Sequence, residues 1–490
     1  MLMKVKIEHK INSKSDLLII PVFSDQIKKI NSDYPATIKD FIKKRFAEKD
    51  FSAKKGEELF SYVESKVTPK KLLVMGMGES NKFDFARARE LGAKMAKSAK
   101  RHKIKSLNVM VSDEMEAAFE ELVEGILMPQ YSVAKFKSNK KKKNDGLELL
   151  EFTTKSKSKN LDDLLKKAEL IVHAVDYVKD LVNAPANIVD TEYLAAEAKK
   201  IAKQNGYKIV VMGNKELKKM KAGGILTVNN GSKDEAKLIV LQYDGGKKNE
   251  KPIVLVGKGV VFDTGGYNLK PSGGMETMQQ DMGGGATVLG VFEVLKKLGI
   301  KRNVIGIVPA VSNMVSEKAY RPSDIITMLN GKTVEITNTD AEGRIILADA
   351  LHYATELDPA EIISIATLTG AVAVALGDRY CGVMGNDKKL TDKLQQAGDE
   401  VDELVWPLPI HNDYKKKVDS DVADYKNHDL GSGRYGGTAK AAAFLEKFVN
   451  KNTWAHLDIG GTAFTTDPME YQQKGATAHG LRIFLRYLES

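Results

Sequence analysis

Apolar and polar positions along the chain form two series of alternating strands and helices. In the first third, the apolar runs at 16–23, 70–79 and 106–113 predict buried strands. Apolar residues recur at helical spacing in 85–102 and 114–127. Strands that alternate with helices are typical of an α/β sheet domain.

A second series begins after a polar, lysine- and serine-rich stretch at 151–160. A helical pattern covers 161–183, and we place a domain boundary near 160–170. The predicted domains are residues 1–165 and residues 166–490. The strands predicted in the larger domain are 208–213, 236–243, 251–259, 303–311 and 360–370, and its predicted helices are 287–299 and 344–357.

Composition is that of an ordinary globular protein, with 490 residues, 42% hydrophobic and 29% charged. The single cysteine, Cys381, excludes an internal disulfide framework and fits a reducing compartment. No apolar run reaches the length of a membrane span, about 18 residues or more. The N-terminal segment lacks a long apolar region followed by a small-residue cleavage site, so we expect no signal peptide and a cytoplasmic location.

The net charge of +10 is unevenly distributed, because residues 1–170 carry +11 and residues 171–490 carry −1. A basic surface of this kind can face nucleic acid, and the alternative is a solvated, lysine-rich face. The densest cluster, 135–146, has a single aromatic residue and is predicted to be a loop. Lysine lacks the planar fork that reads base edges, so binding there would be mostly non-specific.

The heptapeptide NTDAEGR, residues 338–344, places two carboxylates two positions apart and then an arginine, Arg344. In an extended segment, Asp340 and Glu342 point to the same side. Two anions directed at one point repel each other, so the stretch predicts a metal ion, a shared proton or open water between them.

A glycine-rich segment, 256–286, begins at the end of a predicted strand and holds Lys258, Asp263, Lys270 and Asp281. Glycine lets a backbone pass close to a ligand. Together with the heptapeptide, the segment supplies four carboxylates, a number that suits two divalent cations. The eight histidines are scattered, and none forms the H-E-x-x-H pattern of zinc peptidases.

NTDAEGRIILADAL resembles the signature of the leucine aminopeptidase (cytosol aminopeptidase) family, peptidase family M17, and 256–290 is similar to its metal-binding segment. Further similar motifs are NAPAN (183–187), ATLTGA (366–371), SDVADYKN (420–427) and WAHLDIGGTAF (454–464). The resemblance covers about residues 170–490. It implies a smaller N-terminal α/β, macro-like domain and a larger C-terminal α/β catalytic domain with a central mixed sheet.

The resemblance also implies a cytosolic metallo-aminopeptidase that releases leucine-like residues from peptides with a free N-terminus, assembled as a homohexamer. Two divalent metal ions are expected per subunit, Zn²⁺ or Mn²⁺, with Mg²⁺ and Co²⁺ also compatible. Lys258 and Asp281 would bind one metal, Asp340 would bind the other, and Asp263 and Glu342 would bridge both.

Two residues have implied catalytic roles: Lys270 would hold the substrate carbonyl and the developing oxyanion, and Arg344 would hold a bicarbonate that acts as general base. The implied substrate-binding residues are Met278, Asn338, Thr367, Leu368, Thr369 and Gly370. A methionine with small neighbours suits an aliphatic side chain, although Met278 could equally be a core residue.

Several positions depart from the family pattern. Thr264 stands where many members have serine, residues 278–282 read MQQDM rather than MKYDM, and residues 457–464 read LDIGGTAF rather than LDIAGTAW. None of these differences removes an implied ligand. Two other hypotheses stay open: a DNA-binding role of the basic N-terminal domain, alone or beside catalysis, and a two-metal hydrolase acting on phosphoesters.

Overall fold

We describe the protein from a computed structural model, which describes residues 3–27, 34–63, 68–138, 146–156, 160–432 and 435–490. The chain divides into two compact units. Unit 1 comprises Met1–His173 and Asp467–Gln473, and unit 2 comprises Ala174–Thr466 and Lys474–Ser490. The division falls inside the long helix Asn160–Asn183. The boundary predicted from the sequence, between 165 and 166, lies in the same helix and stays a prediction.

Unit 1 contains one sheet, which has six strands in the described residues, in the order β1-β6-β5-β2-β4-β3. Its neighbouring strands pair in parallel except for the antiparallel edge pair β3–β4. Strand β2 is buried along its whole length, as expected for a parallel strand covered on both faces. The strands are β1 (Lys4–Glu8), β2 (Leu17–Phe23), β3 (Glu58–Tyr62), β4 (Lys71–Gly78), β5 (Ser106–Met110) and β6 (Leu149–Thr153).

Unit 2 is built on a mixed sheet in the order β16-β15-β18-β14-β9-β11-β8-β7, with β10 paired to β11. Five strands run parallel to one another: β9, β10, β11, β14 and β18. The antiparallel pairs are β7–β8, β8–β11 and β15–β18, so the sheet is mixed. These strands are β7 (Lys208–Met212), β8 (Lys237–Asp244), β9 (Ile253–Gly257), β10 (Gly259–Asp263), β11 (Asn303–Asn313), β14 (Glu361–Ala366), β15 (Cys381–Gly385), β16 (Val405–Pro407) and β18 (Trp454–Asp458).

Two small sheets complete the strands of unit 2. One has the order β12-β13-β17 and the other pairs β19 with β20. Their strands are β12 (Ile325–Thr327), β13 (Thr333–Glu335), β17 (Tyr425–Lys426), β19 (Phe464–Thr465) and β20 (Gly475–Ala476).

Helices pack against the sheets and supply much of the core. In unit 2, the apolar run Ile345–Leu347 is fully buried and belongs to the same core as Val254 and Val256 of β9. The helices are α1 (Ala36–Ala47), α2 (Phe85–Arg101), α3 (Phe119–Leu127), α4 (Asn160–Asn183), α5 (Thr191–Asn205), α6 (Asn214–Met220), α7 (Gly223–Asn229), α8 (Gly283–Val294), α9 (Glu342–Thr355), α10 (Gly370–Leu376), α11 (Lys388–Val401), α12 (Asn412–Lys416), α13 (Gly437–Glu446) and α14 (Leu481–Glu489).

The predicted fold class, two α/β domains with a mixed sheet in the larger one, is confirmed. Two helix predictions were wrong in their limits. Residues 113–118 form a 3₁₀-helix that precedes α3. Helix α8 begins at Gly283, four residues before the predicted start, and ends at Val294.

Two further expectations concern the lysine cluster and the absence of a membrane span. Residues 139–145, most of the lysine cluster at 135–146, lie outside the described residues. In the part of the chain that the structure describes, every helix is too short or too polar to cross a membrane.

Candidate active site

Four parallel strands of unit 2 end at the same edge of the sheet, and polar side chains follow them. Lys258 follows β9, Asp263 is the last residue of β10, Thr367 follows β14 and Asp458 ends β18. Because carboxyl ends of parallel strands meet at one edge, residues far apart in sequence come together there.

Turns and helix starts add three further carboxylates. Asp281 lies in the 3₁₀-helix Met278–Met282, Asp340 lies in a turn, and Glu342 is the first residue of α9. The extended conformation expected for 340–342 was therefore wrong, because a turn and a helix start make the two acids converge. Carboxylate oxygens of Asp263, Asp340 and Glu342 lie within 4.8 Å of one another.

Lys258 occupies the buried side of this cluster, with 4% of its side chain exposed. Its Nζ lies 2.8 Å from Asp281 Oδ1 and 2.7 Å from Glu342 Oε1, and it donates to the Thr367 carbonyl at 3.1 Å. A Cβ on Gly343 would lie 2.6 Å from Lys258 Cε. Glycine at 343 therefore gives the lysine side chain its path to the carboxylates.

Lys270 lies on the open side of the cluster. Its Nζ is 2.7 Å from Asp263 Oδ2 and 2.5 Å from Asp340 Oδ1. The side chains of Lys270 and Asp340 are 15% and 33% exposed, against 2% for Asp263. A molecule that arrives from solvent therefore meets Lys270 and Asp340 first.

Burial and mutual repulsion perturb these acids. Burial raises the pKa of Asp281 and of Asp263, and the negative charge of Glu342 raises both further. Burial also acts to raise the pKa of Glu342, but the ammonium groups of Lys258 and Lys270 lower it overall. Four carboxylates with two ammonium groups carry a charge of −2 when all are ionised, which favours the binding of cations.

The chemistry of this set fits divalent metal ions. Carboxylate oxygens are hard ligands, and four of them with one amine suit Mn²⁺, Zn²⁺, Mg²⁺ or Co²⁺. Among the described residues, Asp281 Oδ2 is buried without a hydrogen-bond partner, so one acceptor of the set is unused. Buried acceptors rarely stay unpaired, and a bound cation would satisfy this one.

Arg344 is buried beside the cluster on α9. Its Nη1 donates to the Asn427 carbonyl at 2.8 Å, and its Nε has no partner among the described residues. Burial lowers the pKa of Arg344 to about 10, so the guanidinium stays charged at neutral pH. Burial, and then the charges of Arg344 and Lys440, lower the pKa of His428 to about 4. The Arg344 guanidinium is charged, keeps an unused Nε donor and lies near a neutral histidine, so it is suited to binding a small anion.

The predicted substrate residues lie on elements that carry the cluster. Thr367 Oγ1 donates to Asp281 Oδ1 at 2.7 Å. Asn338 Oδ1 accepts from the Asp340 N–H at 2.8 Å, so this amide supports the turn. Met278 begins the 3₁₀-helix that bears Asp281, and Gly370 begins α10.

Leu368 and Thr369 are held by a residue that the sequence did not single out. Asp458 Oδ1 accepts from the N–H groups of Leu368, Thr369 and Gly460 at 3.1, 3.3 and 3.1 Å, and its Oδ2 accepts from Thr369 Oγ1 at 2.7 Å. Burial raises the pKa of Asp458 to about 6. The only sequence signal was its place in the motif WAHLDIGGTAF.

Two more residues went unnoticed because they are uncharged. Asn313 and Thr339 are fully buried next to the carboxylates. Asn313 ends β11, and Thr339 sits inside the heptapeptide between residues that were noted. Position was the only signal that the sequence offered for either residue, and it does not distinguish them from other polar residues.

The buried carboxylates and lysines lie at the carboxyl ends of parallel strands, where α/β proteins commonly bind their ligands. The family model described as "Cytosol aminopeptidase family, catalytic domain" matches residues 176–485, and the one described as "Cytosol aminopeptidase family, N-terminal domain" matches residues 19–140. The chain belongs to the cytosol aminopeptidase family, as the resemblance in its sequence indicated.

The similarity to known proteins extends over nearly the whole chain. A protein of Protochlamydia amoebophila (strain UWE25) described as "Probable cytosol aminopeptidase" is 37% identical over 97% of this chain and 96% of its own length. A protein of Geobacter sp. (strain M21) with the same description is 35% identical over 100% of this chain and 99% of its own length. The solved structure described as "Bottromycin maturation enzyme BotP in complex with Mn" is 26% identical, with a TM-score of 0.84 and coverage of 97% and 99%.

Proposed function

We propose that this chain is a metal-dependent aminopeptidase that releases single N-terminal residues, with a preference for leucine-like side chains. The observation that carries the proposal is the cluster of Asp263, Asp281, Asp340 and Glu342 with two lysines at the strand ends. Membership of a metal-dependent aminopeptidase family supports it, and so does a related structure whose description includes Mn.

Two divalent cations per subunit are part of the proposal, and Zn²⁺ and Mn²⁺ are the first candidates. The four carboxylates and the amine of Lys258 would hold them. When bound, such ions supply Lewis acidity for a peptide carbonyl and lower the pKa of water. The neutral amine needed for a ligand is available to Lys258 only when a cation replaces its proton among the carboxylates.

Lys270 and Arg344 would have separate roles in the reaction. The Lys270 ammonium lies on the open side, where it can donate to the carbonyl oxygen as negative charge develops. The Arg344 guanidinium, with its unused Nε, would hold a bicarbonate as general base. The negative cluster would receive the free α-amine of the substrate, which restricts cleavage to N-termini.

The side-chain preference is assigned to Met278, Thr367 and Gly370, and the backbone of Leu368 and Thr369 would hold the substrate. The loop of residues 367–369 is half-buried, and Leu368 packs against the core of unit 2. An apolar wall beside small residues suits an aliphatic side chain.

We further propose a cytosolic location, from relatives described as cytosol aminopeptidases, and a homohexameric assembly, as the family resemblance implies. Light scattering of the purified chain tests this assembly. The DNA-binding hypothesis has no support from the comparisons, and it is not part of the proposal.

The decisive test is hydrolysis of leucine p-nitroanilide, with N-acetyl-leucine p-nitroanilide as the matched control. The enzyme is assayed after chelation and again after addition of Mn²⁺ or Zn²⁺. We expect cleavage of the free-amine substrate only, restored by metal. Equal cleavage of both substrates, or full activity after removal of all metal, would contradict the proposal.

A further inference from the structure

The two segments that bear the proposed ligands are joined by uncharged hydrogen bonds through Thr339. Its hydroxyl donates to the Gly265 carbonyl at 2.6 Å and accepts from the Asn268 N–H at 2.8 Å. Its own N–H donates to Asn268 Oδ1 at 2.8 Å. One buried threonine therefore links the loop 263–270 to the turn 338–342.

Asn313 makes a second connection from the end of β11. Its Nδ2 donates to Asp263 Oδ1 at 2.8 Å and to the Thr339 carbonyl at 3.0 Å. Both partners are acceptors, so the amide must present its NH₂ group to them. Tyr320 Oη donates to the same carbonyl at 2.9 Å. The side chain of Asn313 thus holds a proposed ligand and the opposite segment at once.

Charged contacts alone would not hold Asp263 and Asp340 at a fixed separation. Lys270 also joins Asp263 to Asp340, but its ammonium is partly exposed and has a proposed role toward the substrate. Thr339 and Asn313 carry no charge themselves, and both are fully buried. The bonds of Thr339 join it to backbone groups and an amide, so they do not depend on the charge state of the cluster.

We infer that Thr339 and Asn313 are positioning residues, which fix Asp263 relative to Asp340 and Glu342 before a metal ion binds. The inference rests on the proposed function, because it concerns the ligands of the proposed metal site. Residues that orient metal ligands typically account for about 10–100-fold in metal affinity. Hydrogen bonds from these two uncharged side chains set the distances between the carboxylates, and the cation then binds without moving the loops.

Thr339→Val and Thr339→Ser form a matched pair that tests this inference. Valine keeps the shape of threonine and removes the hydroxyl, while serine keeps the hydroxyl and removes the methyl group. Mn²⁺ affinity is measured by calorimetry on the full chain without substrate. We expect valine to raise the Kd for Mn²⁺ about 10–100-fold and serine to leave it near that of the unsubstituted chain.

Hydrogen exchange supplies a second readout. In chelator-treated protein, amides of 263–270 should exchange faster in the valine variant than in the serine variant, because the loop has lost two hydrogen bonds. A valine variant that binds Mn²⁺ as tightly as the serine variant would overturn the inference. An equal loss in both variants would also overturn it, since packing of the methyl group would then explain the effect.

Asn268→Ala covers the case in which the valine variant does not fold. Asn268 is exposed, and the substitution removes its Oδ1, which accepts from the Thr339 N–H at 2.8 Å and lies 3.1 Å from the Thr339 hydroxyl. We expect weaker Mn²⁺ binding in this variant, and unchanged binding would overturn the inference. An unsubstituted chain that binds Mn²⁺ but cleaves no leucine p-nitroanilide would refute the proposed function alone, and one that binds no Mn²⁺ would refute both.

Discussion

Lys258 and Lys270 have the same side chain, yet the structure gives them different surroundings. Lys258 is 4% exposed and lies among Asp281, Glu342 and a backbone carbonyl. Lys270 is 15% exposed and lies beside Asp340 on the open side. Burial opposes the charge of both lysines, but the surrounding carboxylates raise the pKa of each above its usual range. Only Lys270 combines a stable positive charge with access for substrate.

Lys270→Ala should lower kcat for leucine p-nitroanilide about 10²–10³-fold, because a donor to the developing oxyanion is lost. The carboxylates and Lys258 remain, so the metal content measured by mass spectrometry should be unchanged. The matched control is Lys318→Ala, at an exposed position on the loop after β11. Loss of the metals from the Lys270 variant would show that this lysine, rather than Lys258, has the ligand role.

The clustered acids and lysines of the site could be predicted from sequence, whereas Asp458 and the uncharged supports Asn313 and Thr339 could not. Asp263, Lys270 and Asp281 stand out because acids and lysines in a glycine-rich loop have few other uses. Asn313 is 50 residues from Asp263, and nothing in its local sequence distinguishes it from any polar residue at a strand end. Its role exists only because β10 and β11 pair in parallel and end together.

Among the elements, the loop between β14 and α10 depends on one acceptor, Asp458. Asp458→Ala leaves the N–H groups of Leu368 and Thr369 unpaired in a half-buried loop, at a cost of about 1–3 kcal/mol for each buried group. We expect KM for leucine p-nitroanilide to rise several-fold, with a smaller change in kcat. The conservative variant Asp458→Asn keeps one acceptor and should show a milder effect.

Thermal unfolding provides the control for that experiment. The midpoint should fall in the alanine variant, because the loop loses its acceptor. A variant whose midpoint falls while its KM equals that of the unsubstituted enzyme would show that the loop does not set substrate affinity. Equal effects of alanine and asparagine would show that the negative charge, rather than the hydrogen bonds, matters.

Helix α8 shows why the limits of an element can escape sequence patterns. Glycines at 283–285 disfavour a helix, so the predicted start was 287. The structure begins the helix at Gly283 because this turn lies against the sheet: the Gly285 N–H donates to the Lys258 carbonyl at 2.7 Å. A Cβ on Gly284 would lie 2.1 Å from the Ile365 carbonyl oxygen. Tertiary packing here outweighs helix propensity.

Gly284→Ala should therefore destabilise the protein by about 1–3 kcal/mol or more, although alanine is the better helix former. Neither the backbone at Ile365 nor that at Lys258 can give way cheaply, because the two are hydrogen-bonded to each other. The measurement is the midpoint of thermal unfolding. The control is Gly431→Ala, where the nearest atom would be 3.7 Å from the new Cβ. A stabilised Gly284 variant would contradict the packing seen here.

Across the whole molecule, buried neutral histidines couple stability to pH. His456 is fully buried in β18, where its Nδ1 lies 2.9 Å from Ser364 Oγ, and burial lowers its pKa to about 3. Burial likewise lowers the pKa of His479 to about 4. Unfolded histidine titrates near 6.5, so below that pH the unfolded chain binds more protons than the native protein. Stability is therefore lost as the pH falls from about 6.5.

His456→Asn isolates one such contribution, which amounts to about 1.4 kcal/mol per pH unit between the two pKa values. At pH 7.5 the variant should unfold at a lower temperature, because packing and the bond to Ser364 are lost. As the pH falls toward 4.5 the difference should shrink, since only the unsubstituted protein still excludes a proton at this position. The control is His411→Asn, whose side chain is 67% exposed. A difference in midpoint that stays constant with pH would mean that His456 contributes packing alone, and acid sensitivity would then have to arise from other buried groups.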